Sequence, residues 1–173
     1  MTQPTVIFFG YDREPRVTAK VFLRTLLYST SARGQVVEAM YVKLCRPGSE
    51  QIFSFWGYGE TNKLTPGSGL FVGQTGVALN HHFVLSVHHE PYQFVEGPYS
   101  LHVFARVVGR SKPIKLDTIS LTVSKGEAGV LSGYLGILFE LGWDTGKYTG
   151  HAREFKFSSD DDYARVSDNE NDR

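Results

Sequence analysis

Apolar and polar residues alternate along three long stretches of the chain. The run Val17-Thr18-Ala19-Lys20-Val21 opens the first stretch, 17–28, and the same period returns over 99–108 and 114–123. Successive side chains of a β-strand point to opposite faces, whereas a helix would mix the two sets of residues. The three stretches are therefore predicted to be strands with one buried face.

Seven further runs combine apolar, aromatic and β-branched residues at strand length: 5–11, 36–45, 51–58, 69–74, 77–88, 130–143 and 148–157. Turn residues separate them. Pro47 and Gly48 lie between two of these runs, where proline presets one turn dihedral and glycine supplies the positive φ that other residues resist. This pair predicts a hairpin.

About ten short strands without amphipathic helices between them indicate an all-β fold. We expect an antiparallel β-sandwich of the jelly-roll, immunoglobulin-like or C2-like type, formed as one domain by residues 1–157. Residues 158–173 combine acids, serine and asparagine with few apolar side chains. Such a segment cannot bury enough apolar surface to offset the entropy lost on ordering, so it is predicted to be a disordered acidic tail.

The segment 127–143, EAGVLSGYLGILFELGW, allows two interpretations because an apolar helix could also be drawn through it. Four glycines lie inside it, and each would cost about 1 kcal/mol within a helix. We therefore expect strands interrupted by a turn or bulge.

Charge argues against a polyanionic partner. The chain has 18 basic and 18 acidic residues and is formally neutral. The tail, 158–173, holds six acids and two arginines and so carries minus 4, which leaves a formal charge of plus 4 on residues 1–157. That excess is smaller than a nucleic-acid-binding domain usually shows, so no nucleic-acid partner is expected.

The chain has a single cysteine, Cys45, which excludes an intramolecular disulfide and a zinc site built from several cysteines. The first residues, MTQPTVIFFGYDREP, lack the basic and long apolar regions of a signal peptide. No run approaches the roughly 20 apolar residues that cross a bilayer. We expect a cytoplasmic protein with no membrane partner.

Four of the six histidines fall within nine residues and invite comparison with a metal site: His81, His82, His88 and His89. On a straight strand His82 and His88 would lie roughly 20 Å apart, whereas two ligands of one zinc must each lie about 2.0–2.1 Å from the ion. No His-x-His pair is present. No metal site and no cofactor are therefore predicted.

One ligand pair remains open, because His88 and Glu90 have the spacing of two ligands if His102 or His151 approaches from another strand. The simpler interpretation is a surface stripe of polar residues that includes His82, His88 and Glu90. The opposite face would be buried and would contain His81, which would then need a hydrogen-bond partner.

Aromatic residues cluster in the run Phe53-Ser54-Phe55-Trp56-Gly57-Tyr58-Gly59. The alternation places Trp56 and Tyr58 on one face. Exposed tryptophan and tyrosine can stack on sugar rings or anchor a protein interface, although packing in the core explains the same pattern.

Sequence motifs for catalysis are missing. The run Gly67-Ser68-Gly69 is followed by strand-like residues and not by the helix that a phosphate-binding loop needs. The chain contains neither Gly-x-Ser-x-Gly nor His-Glu-x-x-His. An enzyme is therefore not expected.

These observations favour a non-enzymatic domain that binds a protein partner or its own copy through an exposed sheet face or edge strand. The candidate binding residues are Trp56, Tyr58, His82, His88 and Glu90. Two alternatives stay open: a structural jelly-roll subunit of a larger assembly, and a β-sandwich that binds carbohydrate or another small ligand.

Overall fold

The computed structural model describes residues 1–12, 17–60, 65–67, 69–86 and 92–153. Within these ranges the chain is mostly strand, with one short helix. The elements are β1 (Val6–Asp12), β2 (Thr18–Leu27), β3 (Gln35–Arg46), β4 (Ser49–Phe53), β5 (Phe55–Gly59), β6 (Thr65–Pro66), β7 (Leu70–Val72), β8 (Val77–Val84), β9 (Gly97–Val107), β10 (Ile114–Val123), α1 (Lys125–Ser132), β11 (Gly136–Gly142) and β12 (Lys147–Arg153). The predicted all-β class is confirmed.

The strands form two antiparallel sheets. The seven-stranded sheet has the order β12-β11-β1-β2-β8-β5-β6, and the five-stranded sheet runs β10-β9-β3-β4 with β7 also paired to β3. β3 contacts β9 along one edge. Its other edge is divided, because β7 pairs with residues 35–37 and β4 with residues 42–46. The order of strands in space therefore differs from their order along the chain.

Alternation identified strands such as β9 and β10 because one face of each lies against the main hydrophobic core. In β9 the inward residues Leu101, Val103 and Ala105 are fully buried, while the residues between them are partly or fully exposed. β10 follows the same rule with Ile119 and Leu121 inside. The core draws residues from both sheets.

The Pro47-Gly48 hairpin is also confirmed. β3 and β4 pair antiparallel up to Arg46 and Ser49, so Pro47 and Gly48 form a two-residue connection. Gly48 has a φ of +73°, which is the left-handed conformation that the sequence required of it.

The run predicted as one strand over 51–58 is instead two strands in different sheets. β4 pairs with β3 in the five-stranded sheet, whereas β5 pairs with β8 in the seven-stranded sheet. The chain crosses between the sheets at Ser54, the one residue between the two strands. Alternation continues through this crossing, so the sequence pattern alone could not reveal it.

The expectation of strands throughout 127–143 is wrong in its first part, because Lys125–Ser132 is a helix. A capping box starts the helix: the Glu127 backbone N–H donates to Ser124 Oγ at 3.3 Å, and the Ser124 backbone N–H donates to Glu127 Oε2 at 2.6 Å. Leu131 is fully buried. Capping and this burial offset the cost of Gly126 and Gly129 inside the helix.

Aromatic rings fill one end of the core. The Phe9 ring lies 4.9 Å from Phe94, 5.7 Å from Tyr99 and 5.3 Å from Phe139, centroid to centroid. The Tyr99 hydroxyl donates to the Val95 carbonyl at 2.8 Å and accepts from the Val95 backbone N–H at 2.9 Å. This side chain therefore fixes the chain where it enters β9.

Replacing Tyr99 with phenylalanine should lower the free energy of unfolding by about 1–3 kcal/mol, because both polar groups of Val95 lose their partner while the ring still fills the core. Urea unfolding monitored by tryptophan fluorescence measures the change. Tyr28→Phe is the control at an exposed tyrosine and should change stability by less than about 0.5 kcal/mol. Equal effects of the two variants would contradict the assigned role of Tyr99.

The predicted acidic tail, 158–173, lies outside the described residues, as do His88 and Glu90. None of the helical segments that the structure describes has the length and apolar character needed to cross a membrane.

Candidate functional site

Trp56, Tyr58 and His81 form a cluster inside the fold. Trp56 lies opposite Phe83, and Tyr58 lies opposite His81, where β5 pairs with β8. The Trp56 indole Nε1–H donates to His81 Nδ1 at 3.2 Å, and the Tyr58 hydroxyl donates to the Gly69 carbonyl at 2.9 Å. The partner expected for a buried His81 is thus Trp56.

This hydrogen bond fixes the protonation of His81. Because Nδ1 accepts from the indole, the ring proton lies on Nε2, which has no hydrogen-bond partner among the described residues. His81 is fully buried, and desolvation lowers its pKa to about 4. His81 is therefore neutral near pH 7.

His82 lies on the opposite, outer face of the seven-stranded sheet, yet it is buried as well. Its ring centroid is 4.8 Å from that of Phe22, which lies in a small apolar cluster with Phe8 and Leu138. Burial, with Lys20 and His81 nearby, lowers the pKa of His82 to about 3. The predicted exposure of His82 in a polar surface stripe is wrong, because the outer face is apolar at its centre.

The three candidate binding residues that the structure describes therefore do not form one open surface. Trp56 and His82 are buried and Tyr58 is half-buried. Their role in binding stays a prediction.

Within the described ranges no group of three or more histidine, cysteine, aspartate or glutamate side chains could hold a metal ion. His102 forms a hydrogen bond of 3.0 Å between its Nδ1 and Thr118 Oγ1.

An exposed hydrophobic surface lies instead on the outer face of the five-stranded sheet. Val36 in β3 lies opposite Phe71 in β7, and its carbonyl accepts the Val108 backbone N–H at 2.9 Å from the other side. The exposed fractions are 40% for Val36, 61% for Phe71 and 62% for Val108. These three neighbours are called the apolar patch below.

Aromatic and charged side chains continue this face along β3, β9 and β4. The rings of Tyr41 and Phe104 are stacked with centroids 4.9 Å apart. Next to them, Arg106 Nε lies 3.5 Å from Glu38 Oε2, and Lys43 Nζ lies 2.7 Å from Glu50 Oε1.

The ion pair between Lys43 and Glu50 shifts the pKa of both side chains. The hydrogen bond to Glu50 raises the pKa of Lys43, and the same bond lowers the pKa of Glu50. Glu50 is exposed and Lys43 is partly exposed, so their pairing contributes little to stability. The ion pairs give this face both signs of charge beside its apolar side chains.

The sequence carried a signal for the apolar patch that alternation obscured. Each of its residues adjoins an apolar residue that faces inward, as in Val36-Val37, Phe71-Val72 and Val107-Val108. A doubled apolar position leaves one of the two side chains outside a one-sided sheet. Such doublets mark apolar side chains on an outer face, but they do not by themselves predict exposure, because Phe8 beside Phe9 is buried.

Among the described residues, two depressions of the surface are large enough to admit water. The larger, about 410 Å³, lies between β10 and the start of β12 and is lined by Asp117, Ser120 and Tyr148 among others. The Tyr148 hydroxyl donates to the Pro4 carbonyl at 2.7 Å, and burial raises the pKa of Tyr148 to about 12. This phenol therefore stays protonated and engaged at neutral pH. The smaller cavity, about 270 Å³, lies beside Arg46.

Comparison of the chain with protein-family models, with curated proteins and with solved structures finds no match.

Proposed function

We propose that this chain is a non-enzymatic assembly domain with an immunoglobulin-like strand arrangement. In that arrangement the first, second, fifth and fourth strands form one sheet, and the third, sixth and seventh form the other. The neighbours β1-β2-β8-β5 and β3-β9-β10 follow this order, with β4 as an added strand beside β3. The hydrogen bonds between Tyr99 and Val95 resemble the tyrosine corner found at the start of the sixth strand.

Further elements surround these immunoglobulin-like strands. Strands β6 and β7 form an insertion between the strands β5 and β8, and α1, β11 and β12 extend the sheet next to β1. Within the part of the chain that the structure describes, no strand extends the five-stranded sheet beyond β10, and the apolar patch on its outer face is exposed. This face is the surface that we propose for assembly.

The occupant that we propose for this face is a second copy of the chain. A two-fold interface places the same surface on both subunits, so the surface must be complementary to itself. The apolar patch can pack on its own copy. Glu38 with Arg106 and Lys43 with Glu50 present both charge signs, so a rotated copy can meet opposite charges. The observation that carries the proposal is the exposure of three neighbouring apolar residues, Val36, Phe71 and Val108.

Sedimentation velocity over about 1 to 200 µM chain should show a reversible monomer–dimer equilibrium, as expected of a modest interface. Phe71→Ser should weaken dimerisation at least about 10-fold, because it removes the largest apolar side chain of the patch. The matched control is Phe55→Ser. Phe55 is exposed to 62%, almost the same as Phe71, but it belongs to the seven-stranded sheet.

The control variant should dimerise as the wild type does. A wild-type chain that remains monomeric over the whole concentration range would contradict self-association. A dimer that Phe55→Ser weakens as much as Phe71→Ser does would contradict the proposed face.

A further inference from the structure

The larger surface depression, of about 410 Å³, lies where the two sheets end side by side. Over the residues that the structure describes, β10 is the last strand of the five-stranded sheet and β12 is the last strand of the seven-stranded sheet. Residues 117–120 of β10 line the depression, together with Gly146, Tyr148 and Gln3. Its volume falls within the range of small-ligand pockets. This depression is called the edge site below.

Asp117 faces the space between the two sheets. It lies opposite Val103, whose fully buried side chain belongs to the main core, and opposite residues of an antiparallel pair share a face of the sheet. A β-bulge between Lys115 and Asp117 allows this orientation. Because Asp117 is half-buried and lines the edge site, its carboxylate can be reached from there.

The Tyr148 hydroxyl approaches the edge site from β12. Its ring packs against the main core, and the hydroxyl donates to the Pro4 carbonyl at 2.7 Å. Burial raises the pKa of Tyr148 to about 12, a hydrogen bond with Gln3 acts to lower it, and the charge of Asp117 acts to raise it. Because the hydroxyl proton is already donated, the Tyr148 oxygen can only accept from a ligand. Asp117 and Tyr148 therefore both present acceptors to the edge site.

The negative charge of Asp117 has no cationic side chain beside it. None of the ion pairs among the described residues includes Asp117, and its Oδ1 accepts only the backbone N–H of Thr118, at 2.7 Å. Lys115 and Lys147, the nearest lysines along the two strands, lie on the outer faces of β10 and β12. A carboxylate in a recess of the surface attracts a counter-charge, because water screens it less there than in the open.

We infer that the edge site binds an organic cation, an ammonium or guanidinium group, whose N–H groups donate to the Asp117 carboxylate and the Tyr148 oxygen. Such a group supplies the positive charge and the donors that these side chains lack. A further β-strand is a poor occupant, because a bulge and an inward-facing charge on an end strand oppose strand addition. The edge site is separate from the apolar patch, so this inference does not rest on self-association.

The Thr118 amide reports on binding, because it is hydrogen-bonded to the carboxylate that would hold the cation. In a proton–nitrogen correlation spectrum its resonance should shift saturably as butylammonium or butylguanidinium is added at constant ionic strength and protein concentration. We expect half-saturation on the order of 1–10 mM, as for a single charged group. Butanol has the same alkyl chain without the charge and should not shift the resonance at concentrations up to about 100 mM.

Two comparisons identify the ligand further. The cation with the lower half-saturation concentration shows whether the site prefers ammonium or guanidinium. The blocked tripeptide Gly-Lys-Gly distinguishes the source of the cation. Binding at least about 10-fold tighter than that of butylammonium would identify a side chain of a protein, and equal or weaker binding would identify a free amine.

Asp117→Asn should raise the half-saturation concentration at least about 10-fold, because it removes the charge and keeps the size of the side chain. The Ser120 amide, which also belongs to the edge site, is followed where the substitution itself moves Thr118. Asp144→Asn is the matched control, because it removes an exposed negative charge from the adjacent β11–β12 turn. It should change the half-saturation concentration less than about 2-fold.

A thermal melt of each variant establishes that it is folded. If Asp117→Asn does not fold, the comparison of butylammonium with butanol on the wild type still decides. Thr118 and Ser120 resonances that neither cation shifts, or that butanol shifts equally, would overturn the inference. Unchanged binding of both cations to folded Asp117→Asn would overturn it as well.

Discussion

Acidification from pH 7 to pH 4 should lower the free energy of unfolding by several kcal/mol, chiefly through His81 and His82. Both side chains are buried, and their pKa values are lowered to about 4 and about 3. In the unfolded chain the same residues titrate near 6.5. Below that pH the unfolded state binds protons that the folded state does not, so stability present above pH 6.5 is lost as the pH falls toward the folded pKa values.

Each histidine contributes a slope of about 1.4 kcal/mol per pH unit within this window. Protonation of His81 Nδ1 in the folded state would also remove the acceptor of the Trp56 indole N–H, so the fold favours the neutral ring. The combined loss is comparable with the whole stability of an ordinary domain, so the protein should unfold in mild acid.

Urea unfolding at a series of pH values between 7 and 4 measures these slopes. His81→Gln and His82→Gln should each flatten the dependence of stability on pH, since glutamine does not titrate, although each variant is less stable at pH 7. His151→Gln makes the same exchange at an exposed histidine and controls for effects of glutamine that do not depend on burial. If neither His81→Gln nor His82→Gln altered the dependence of stability on pH, the assignment of this dependence to the two histidines would be contradicted.

Phe9→Ala should lower the free energy of unfolding by about 3–5 kcal/mol, the usual cost of truncating a buried phenylalanine. Phe9 is fully buried and touches three other aromatic rings, Phe94, Tyr99 and Phe139. Part of the cost is the lost transfer energy of the ring, and part is the cavity that its rigid neighbours cannot close.

The matched control is the same change at an exposed position. Phe55→Ala should change stability by less than about 0.5 kcal/mol, because the side chain is mostly in solvent before and after the substitution. Chemical denaturation at pH 7 compares the two variants directly. A cost below about 1 kcal/mol for Phe9→Ala would mean that the aromatic end of the core is not packed as described.

Local sequence pattern predicted most of the strands because burial on one face is a local property. The strands over 17–28, 99–108 and 114–123 correspond closely to β2, β9 and β10. Pairing between strands is not local: β2 pairs with β8 and β3 with β9 across more than fifty residues, and alternation carries no information about which strands are neighbours. The sheet order therefore could not be predicted.

Trp56, Tyr58 and His82 do not share one open surface for a related reason. Alternation assigns side chains to two faces but cannot say that both faces are buried, as happens at the centre of the seven-stranded sheet. Phe22, between Val21 and Leu23, is buried, whereas Phe71 in the equally apolar run Leu70-Phe71-Val72 is exposed, so an apolar run alone does not show whether both faces are covered. The residue that pairs with Phe22 in β8 is His82, which is also buried.

The helix over Lys125–Ser132 was missed because the glycines of the segment were given more weight than its capping signal. Ser124 and Glu127 have the spacing of a capping box, and this pair marks a helix start even before a weak helix former. Treating the cap and the glycines together would have favoured a helix of about two turns followed by a strand.

Hydroxyl-radical footprinting read out at single phenylalanines tests the assembly face within one molecule. As the chain is concentrated through its dimer transition, oxidation of Phe71 should slow several-fold while that of Phe55 stays constant, because only the first of these equally exposed rings would be covered by the second subunit. Phe71 and Phe55 oxidising at an unchanged ratio in a sample known to be dimeric would contradict the account.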